Sequence, residues 1–480
     1  MLDAGENMHR AEDRMTIQGE YEGRLIERAT LDEVRSVARD YEIMLVTILG
    51  AMLDRYESDP DYPYIDTKLS IFTGKDFPEP KDPSRDIRGK TAIYGTIQGR
   101  GLEALVGHIK WLPSCSVLSS EQKDDWIRRL TTMVDGVFHQ MEKVRARNNG
   151  CLSSLMTPEG VPFTMGDDGR RRFFTLTGEH TSGVDVFYAK GMLAAAMLLG
   201  DQDKVLQAKN LMRTAAADVV SRWPSRIRDG VVENKPYGSG MITVGAFALF
   251  AELLQEEEWF EGGEEFVRYI IDSHVSLGQF EGLQLHDYVE MIGSDRRPWQ
   301  DEQGRILLDP GHCLEFIGLA AKLLLLLREK SKKTSSEEAL LARCIEVFPR
   351  VLFKNFHTGF NRQVGGIFKS VDLVSRSPIN SDMPWWSLPE TMRAAAELLL
   401  MLPSCEYEPK LLQIIADCSN AFVTNYVNRD VYLMAYQTVD ASGQPADVIP
   451  LTSDLDPGYH TGLSIIDFLH CIHALVGQDE

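Results

Sequence analysis

The sequence predicts an all-α protein, an (α/α)6 barrel of six helical hairpins. Three observations predict it. Apolar residues recur at helical spacing in twelve stretches, near 31–57, 97–112, 119–148, 184–199, 202–222, 240–256, 259–277, 310–329, 335–352, 384–402, 407–427 and 457–476. The connections alternate in length. The chain turns quickly after the even helices, as at Pro113-Ser114-Cys115, Gly200-Asp201 and Lys330 to Ser335. Long connectors precede the same helices, at about 58–96, 149–183, 223–239, 278–309, 353–383 and 428–456. The composition alternates too. Even helices are rich in small or apolar residues, such as Lys190-Gly191-Met192-Leu193-Ala194-Ala195-Ala196, and odd ones carry a charged face, such as Glu121-Gln122-Lys123-Asp124-Asp125-Trp126. Helices apolar all round belong inside and amphipathic ones outside. The long connectors then gather over the N-termini of the inner helices, the expected place for a site.

Residues 1–30 are polar and read as a partly ordered lead-in, and 31–480 as one barrel domain. Two connectors contain strand-like pieces. Phe163-Thr164-Met165 and Arg172-Phe173-Phe174-Thr175-Leu176 flank the turn Gly166-Asp167-Asp168-Gly169, and Leu433-Met434-Ala435-Tyr436 precedes Asp440-Ala441-Ser442-Gly443.

The chain has 480 residues, 50 of them basic and 71 acidic, and the net charge of −21 argues against nucleic acid or an anionic membrane as partner. Seven scattered cysteines without a CxxC pair read as reduced core thiols, as in the cytoplasm. The N-terminus lacks a basic segment followed by an apolar run, so no secretory leader is expected. Apolar runs such as Leu319 to Leu327 are too short to span a bilayer. A homodimer through outer helices is compatible with the pattern.

The inner-helix mouths carry the chemistry. Asp309-Pro310-Gly311-His312-Cys313-Leu314-Glu315 opens the eighth helix. Pro310 suits a first turn, and His312 and Glu315, three apart, share a face. The helix N-terminus disfavours an imidazolium there, and Glu315 pulls the other way. A plain helix cap is the alternative. The twelfth helix opens with Asp456-Pro457-Gly458-Tyr459-His460, nearly the same form, so His312 and His460 read as a pair. The second helix begins Gln98-Gly99-Arg100-Gly101, where glycines imply close approach of a backbone or ligand and Arg100 is a donor to substrate oxygens. In the fourth, Asp185 and Tyr188 share a face and could bind hydroxyls, with His180 upstream; an N-cap role for a nearby polar residue and a core role for Tyr188 are the alternatives. Lys235 and Tyr237 precede the sixth. In the tenth, Trp386 and Glu390 are four apart, an aromatic platform beside a carboxylate, suited to a sugar ring.

These residues resemble the N-acylglucosamine 2-epimerase superfamily, which includes cellobiose 2-epimerases and mannose-type aldose–ketose isomerases. The matching pieces, in order, are Gln98-Gly99-Arg100, Gly311-His312-Cys313-Leu314-Glu315, Trp385-Trp386 with Glu390, and His460. The resemblance implies the (α/α)6 fold. It implies His312 and His460 as proton-transfer residues, Arg100 as the stabiliser of enediolate oxygens, Glu315 and Glu390 as residues that orient the sugar or tune the histidines, and Trp386 as the stacking ring. Two positions depart from the pattern. Phe187 or Tyr188 stands where the family often has a further histidine, and Gly318 stands near a position where it often has an aromatic.

The function expected is a sugar 2-epimerase or aldose–ketose isomerase acting on a mono- or disaccharide through a cis-enediolate. No cofactor is expected, because neither GxGxxG nor a P-loop occurs, and no metal, because the eleven histidines form no HxH or HxxxH pair. Two other readings stay open. One is an (α/α)6 glycoside hydrolase or uronate lyase using carboxylates among Glu315, Glu390, Asp185 and Asp309. The other is a non-catalytic carbohydrate-binding barrel.

Overall fold

The computed structural model describes residues 17–78, 80–179, 181–221, 226–228, 231–233, 235–236, 238–293, 295–402, 406–449, 455 and 458–476. The helices, in chain order, are α1 Leu31–Ser36, α2 Ala38–Ser58, α3 Gly95–Trp111, α4 Ser120–Arg147, α5 Gly183–Leu199, α6 Gln202–Ser221 and α7 Gly238–Leu254. They continue with α8 Glu257–His274, α9 Pro310–Glu329, α10 Ser335–Gly359, α11 Ser387–Met401, α12 Glu408–Asn425 and α13 Ser464–Val476.

The expected alternation holds: the chain forms an (α/α)6 barrel. The inner staves α3, α5, α7, α9, α11 and α13 pack each against the next, and a π-helical turn at Tyr459–Leu463 closes the ring against α3. In α11 every residue from Ser387 to Leu399 is buried, the mark of a helix enclosed on all sides. The outer α4 buries one stripe, Leu130, Met133, Val134, Val137, Phe138, Met141 and Val144, at helical spacing. One apolar core takes in Tyr21 at one end of the chain and Ile472 in α13 at the other. By length and composition α9 could cross a membrane, with a mean hydropathy of 1.5 over its most apolar window; that window is 78% buried, because α9 is an inner stave.

Several boundaries differ from the sequence expectation, each for a physical reason. The helix expected over 31–57 breaks at Val37, and α2, an outer helix by count, is buried all round from Asp40 to Leu53. The lead-in covers it: the N–H groups of Glu22 and Arg24 donate to the Asp40 carboxylate at 3.2 and 2.7 Å. Helix α10 runs to Gly359 rather than 352, carrying Phe356 onto the core. Helix α11 starts at Ser387 rather than 384, because Met383–Pro384 pairs as a strand with Thr438–Val439. Residues 433–436 form no strand; Tyr432 and Leu433 take positive φ angles that break an extended run. The hairpin at Phe163–Met165 does form, paired with Arg171–Phe173.

The short strands aim the inner-helix mouths. Leu307–Leu308, just before α9, pairs with Ser370–Asp372, which pairs in turn with Ser377–Asn380. Met291–Ile292 pairs with Lys235–Pro236.

Candidate active site

The first turn of α9 is fixed by its cap. Asp309 Oδ1 accepts the N–H of His312 at 3.2 Å, satisfying one of the donors every helix start leaves open. The strand pairing beside it brings Lys369 to Asp309, Nζ to Oδ2 at 2.7 Å. Glu290 is held on the other side, its N–H donating to Leu307 O at 2.9 Å. Its Oε1 lies 3.0 Å from His312 Nδ1, and Asp309 Oδ2 lies 3.4 Å from the same nitrogen. A nitrogen facing two carboxylates carries the proton, which leaves Nε2 for the pocket. Desolvation opposes the imidazolium, but the Asp309 and Glu290 carboxylates outweigh it and raise His312 to about 9.

His460 is presented differently. It sits in the π-turn, after Gly458 in the left-handed conformation at φ +80°. Trp385 pins that turn by donating Nε1–H to Thr461 Oγ1 at 3.2 Å. His460 Nδ1 lies 2.9 Å from Glu390 Oε1, so this ring too has its Nδ1 on a buried carboxylate. Asp456 and Pro457, half of the predicted likeness between the two mouths, lie outside the described residues.

Trp386 joins the two rings. Its indole lies 5.6 Å from the His312 ring and 5.4 Å from the His460 ring, centroid to centroid, tilted 30° and 35°. Gly311 makes room for it, since a Cβ there would lie 2.7 Å from Trp386 Cη2. Lys369 Nζ stands 5.5 Å from the same indole.

Beneath the histidines lie Glu315 and Glu390, 4% and 1% exposed. Burial and the neighbouring Glu390 carboxylate push Glu315 up. Burial acts on Glu390 as well, but the Arg393 guanidinium and His460 outweigh it and hold that carboxyl below its usual range. Two adjacent carboxyls are thereby driven in opposite directions, Glu390 toward the ionised form and Glu315 toward the protonated one. Arg393 pairs with Glu390 Oε2. Arg100 is half-buried on α3, its guanidinium carbon 5.7 Å from the centre of the Tyr459 ring next to His460. Lys190 donates to Tyr459 Oη at 2.7 Å and pairs with Glu103 at 2.8 Å.

The structure therefore brings His312, His460, Trp386, Glu315, Glu390 and, through Tyr459, Arg100 together. It places three others elsewhere. Gln98 is buried and clamps the loop at Ile65, accepting its N–H at 2.8 Å and donating to its carbonyl at 3.1 Å. Asp185 is spent on capping: it accepts from Leu152 N at 3.0 Å and Ser182 N at 2.8 Å. Tyr188 points outward to α4, donating to Glu142 Oε1 at 2.9 Å. Spacing in the sequence says which residues can share a helix face, not which face meets the site. His180, Tyr237 and the side chain of Lys235 lie outside the described residues.

Phe187, near the position where the resemblance expects a histidine, lies edge-to-face on Tyr459 at 5.8 Å. Gly318 is explained by Arg393, whose Nε would lie 3.0 Å from a Cβ there. Sequence reasoning missed Glu290, Lys369 and Arg393. Arg393, one turn after Glu390, left a spacing signal; the other two come from long connectors and left none.

Glu315, Glu390 and His460 offer ligand atoms within 4.8 Å of one another, the described group with metal-like spacing. The donor set fits a cation poorly. Glu390 already spends one oxygen on His460 and the other on Arg393, whose positive charge stands at the same spot.

The fold matches known structures over nearly their whole length. It aligns with cellobiose 2-epimerase from Bacillus thermoamylovorans B4167 at a TM-score of 0.59 and 11% identity, covering 88% of this chain and 99% of that one. The sugar epimerases share this fold. Cellobiose 2-epimerase from Spirochaeta thermophila DSM 6192 gives 0.57 at 11% identity, covering 89% and 98%. A D-mannose isomerase gives 0.56 at 13% identity, covering 88% and 97%. The likeness to these structures lies in the barrel fold. No protein-family model matches the sequence, and no curated protein matches it.

Proposed function

We propose that this epimerase-like barrel is a cofactor-independent sugar 2-epimerase or aldose–ketose isomerase, working through a cis-enediolate. One observation carries the reading: two imidazoles, each with Nδ1 on a buried carboxylate, flank one indole. That arrangement supports two Nε2 atoms directed at one substrate stacked on Trp386.

The open-chain sugar lies on the indole with C1 and C2 between the histidines. His460 removes the C2 proton, and its C–H electrons form the C1–C2 double bond of the enediolate. Arg100 stabilises the oxygen on which charge develops, where a fixed cation is worth most. His312, held protonated near neutral pH, is the donor. Its proton goes to the other face of C2 in epimerisation, or to C1 with the matching shift between hydroxyl and carbonyl in isomerisation. The substrate is a mono- or disaccharide, the protein is cytoplasmic, and residues 31–480 act as one catalytic domain. No metal enters these steps, and activity is expected to survive a chelator.

Glycoside hydrolysis has one observation in its favour, the opposite shifts of Glu315 and Glu390. It is the weaker reading. A glycosidic bond would have to pass between carboxyls that are 4% and 1% exposed, one of them already bound on both oxygens. The deciding experiment incubates the protein with aldoses, N-acyl hexosamines and β-1,4-disaccharides in deuterated water. Deuterium at C2 is expected, abolished in His312→Ala and His460→Ala. Full exchange in both variants, or new reducing ends without exchange, would sink the proposal.

A further inference from the structure

We infer that Arg393 is a positioning residue that sets the orientation and tautomer of His460 through Glu390, with Gly318 as its seat. The inference deepens the proposed reading and rests on it.

Glu390 has two oxygens and both are committed. Oε1 meets His460 Nδ1 at 2.9 Å, and Oε2 meets Arg393 Nη2. A carboxylate gripped on one oxygen by a planar guanidinium cannot rotate, so the direction in which the other accepts is fixed. The His460 ring then has one orientation, Nδ1–H to Glu390 and Nε2 to the pocket. Arg393 also favours the ionised carboxylate, which keeps Glu390 an acceptor.

Arg393 is itself held. It is 5% exposed, and its Nε packs where a side chain on Gly318 would lie 3.0 Å away. On the far side Nη1 stands 3.9 Å from Asp467 Oδ2, and Asp467 Oδ1 takes Lys322 Nζ at 3.2 Å. Lys190, Lys322, Asp467, Tyr459 and Arg393 line a cavity of about 470 Å³ at the C-terminal ends of the inner helices. Arg393 thus forms part of the partition between that cavity and the histidines. The residue choice at 318, in α9, and that at 393, in α11, make sense only together.

The rival explanation is that Arg393 merely balances the buried charges of Glu397 and Asp467. The test uses the full chain with a sugar the wild type turns over in deuterated water. It compares Arg393→Met, Arg393→Lys, Gly318→Ala and the Arg393→Met/Gly318→Ala double variant. Arg393→Met is expected to lose on the order of tenfold to a hundredfold in kcat, the scale of a small misplacement, with KM within roughly twofold. Lysine restores part of the loss. Gly318→Ala shifts the guanidinium slightly and gives a smaller loss, one that disappears in the double variant because its target is gone. The ¹⁵N signature of His460 should change from the single Nδ1–H form to a mixture in Arg393→Met.

Lowered melting temperatures with kcat and the ¹⁵N signature unchanged would overturn the inference in favour of charge balance. Where Arg393→Met does not fold, Arg393→Lys and Gly318→Ala decide by the same criteria. Where the wild type exchanges no sugar, the epimerase reading fails, and the ¹⁵N comparison still judges Arg393.

Discussion

His312 faces three charges from three different stretches of chain: Asp309 beneath it, Glu290 beside it and Lys369 behind Asp309. The carboxylates win, and the imidazolium persists to about pH 9. If His312 donates the proton, kcat falls as pH rises through about 9. In Glu290→Gln one carboxylate is gone, and that alkaline limb moves down by roughly one pH unit. A pH–rate profile of the two proteins checks this; an unmoved limb would mean that another group titrates. The same linkage acts on stability with a definite sign. The folded pKa is above the ordinary value of 6.5, so the contribution is complete below about pH 6.5 and is lost as pH rises through 9. Trp386→Ala should raise KM more than it lowers kcat, because stacking holds substrate and enediolate alike. At this scale the sequence was partly legible. A helix start such as Asp309-Pro310-Gly311-His312 announces itself by local rules of capping and spacing. Glu290 does not, since its place beside His312 comes from its N–H bond to Leu307 across the loop, a contact with no local periodicity.

At the level of elements, the close pair is α3 and α5. A Cβ on Gly99 would lie 2.8 Å from the backbone of Phe187 and Tyr188, and one on Gly191 would lie 2.1 Å from Gly99 O. Gly99 of the Gln98-Gly99-Arg100 motif therefore admits a neighbouring backbone, and Arg100, next to it on α3, stands over the Tyr459 ring. Helix propensity alone makes Gly99→Ala stabilising by about 1 kcal/mol. Backbone collision makes it destabilising, by about 1–3 kcal/mol for an overpacked site. The collision term wins, because the opposing atoms are main chain and cannot swing aside. Urea unfolding of Gly99→Ala should show a lower midpoint; a higher one would place the helices farther apart. The six hairpins were readable because helix period and connector length are both written locally. The π-turn at Tyr459–Leu463 was not. It extends an apolar helical pattern without interruption, and the widened turn shows only in how Gly458 O accepts from Leu463 N–H at 3.2 Å.

A ring of hairpins has a seam where the first must meet the last, and the lead-in crosses it here. Ile26 donates its N–H to Asn420 Oδ1 at 2.8 Å and accepts from Asn420 Nδ2 at 2.9 Å. Gln18 reaches Arg429 O at 2.9 Å, and Arg429 returns a bond to Glu22 O at 2.9 Å. A polar opening segment reads from composition as a partly ordered lead-in; its bonds to Asn420 and Arg429 are invisible there, because they join residues some four hundred apart. Asn420→Ala leaves both the N–H and the carbonyl of Ile26, itself 3% exposed, without their partner. Two neutral bonds lost at a buried site cost about 2–3 kcal/mol. The seam lies on the outer side of α12 and the histidines at the inner mouths, so the two effects separate. Thermal unfolding of Asn420→Ala should begin at lower temperature while C2 exchange at 25 °C proceeds at the wild-type rate. A slower exchange at unchanged stability would instead tie the lead-in to the pocket.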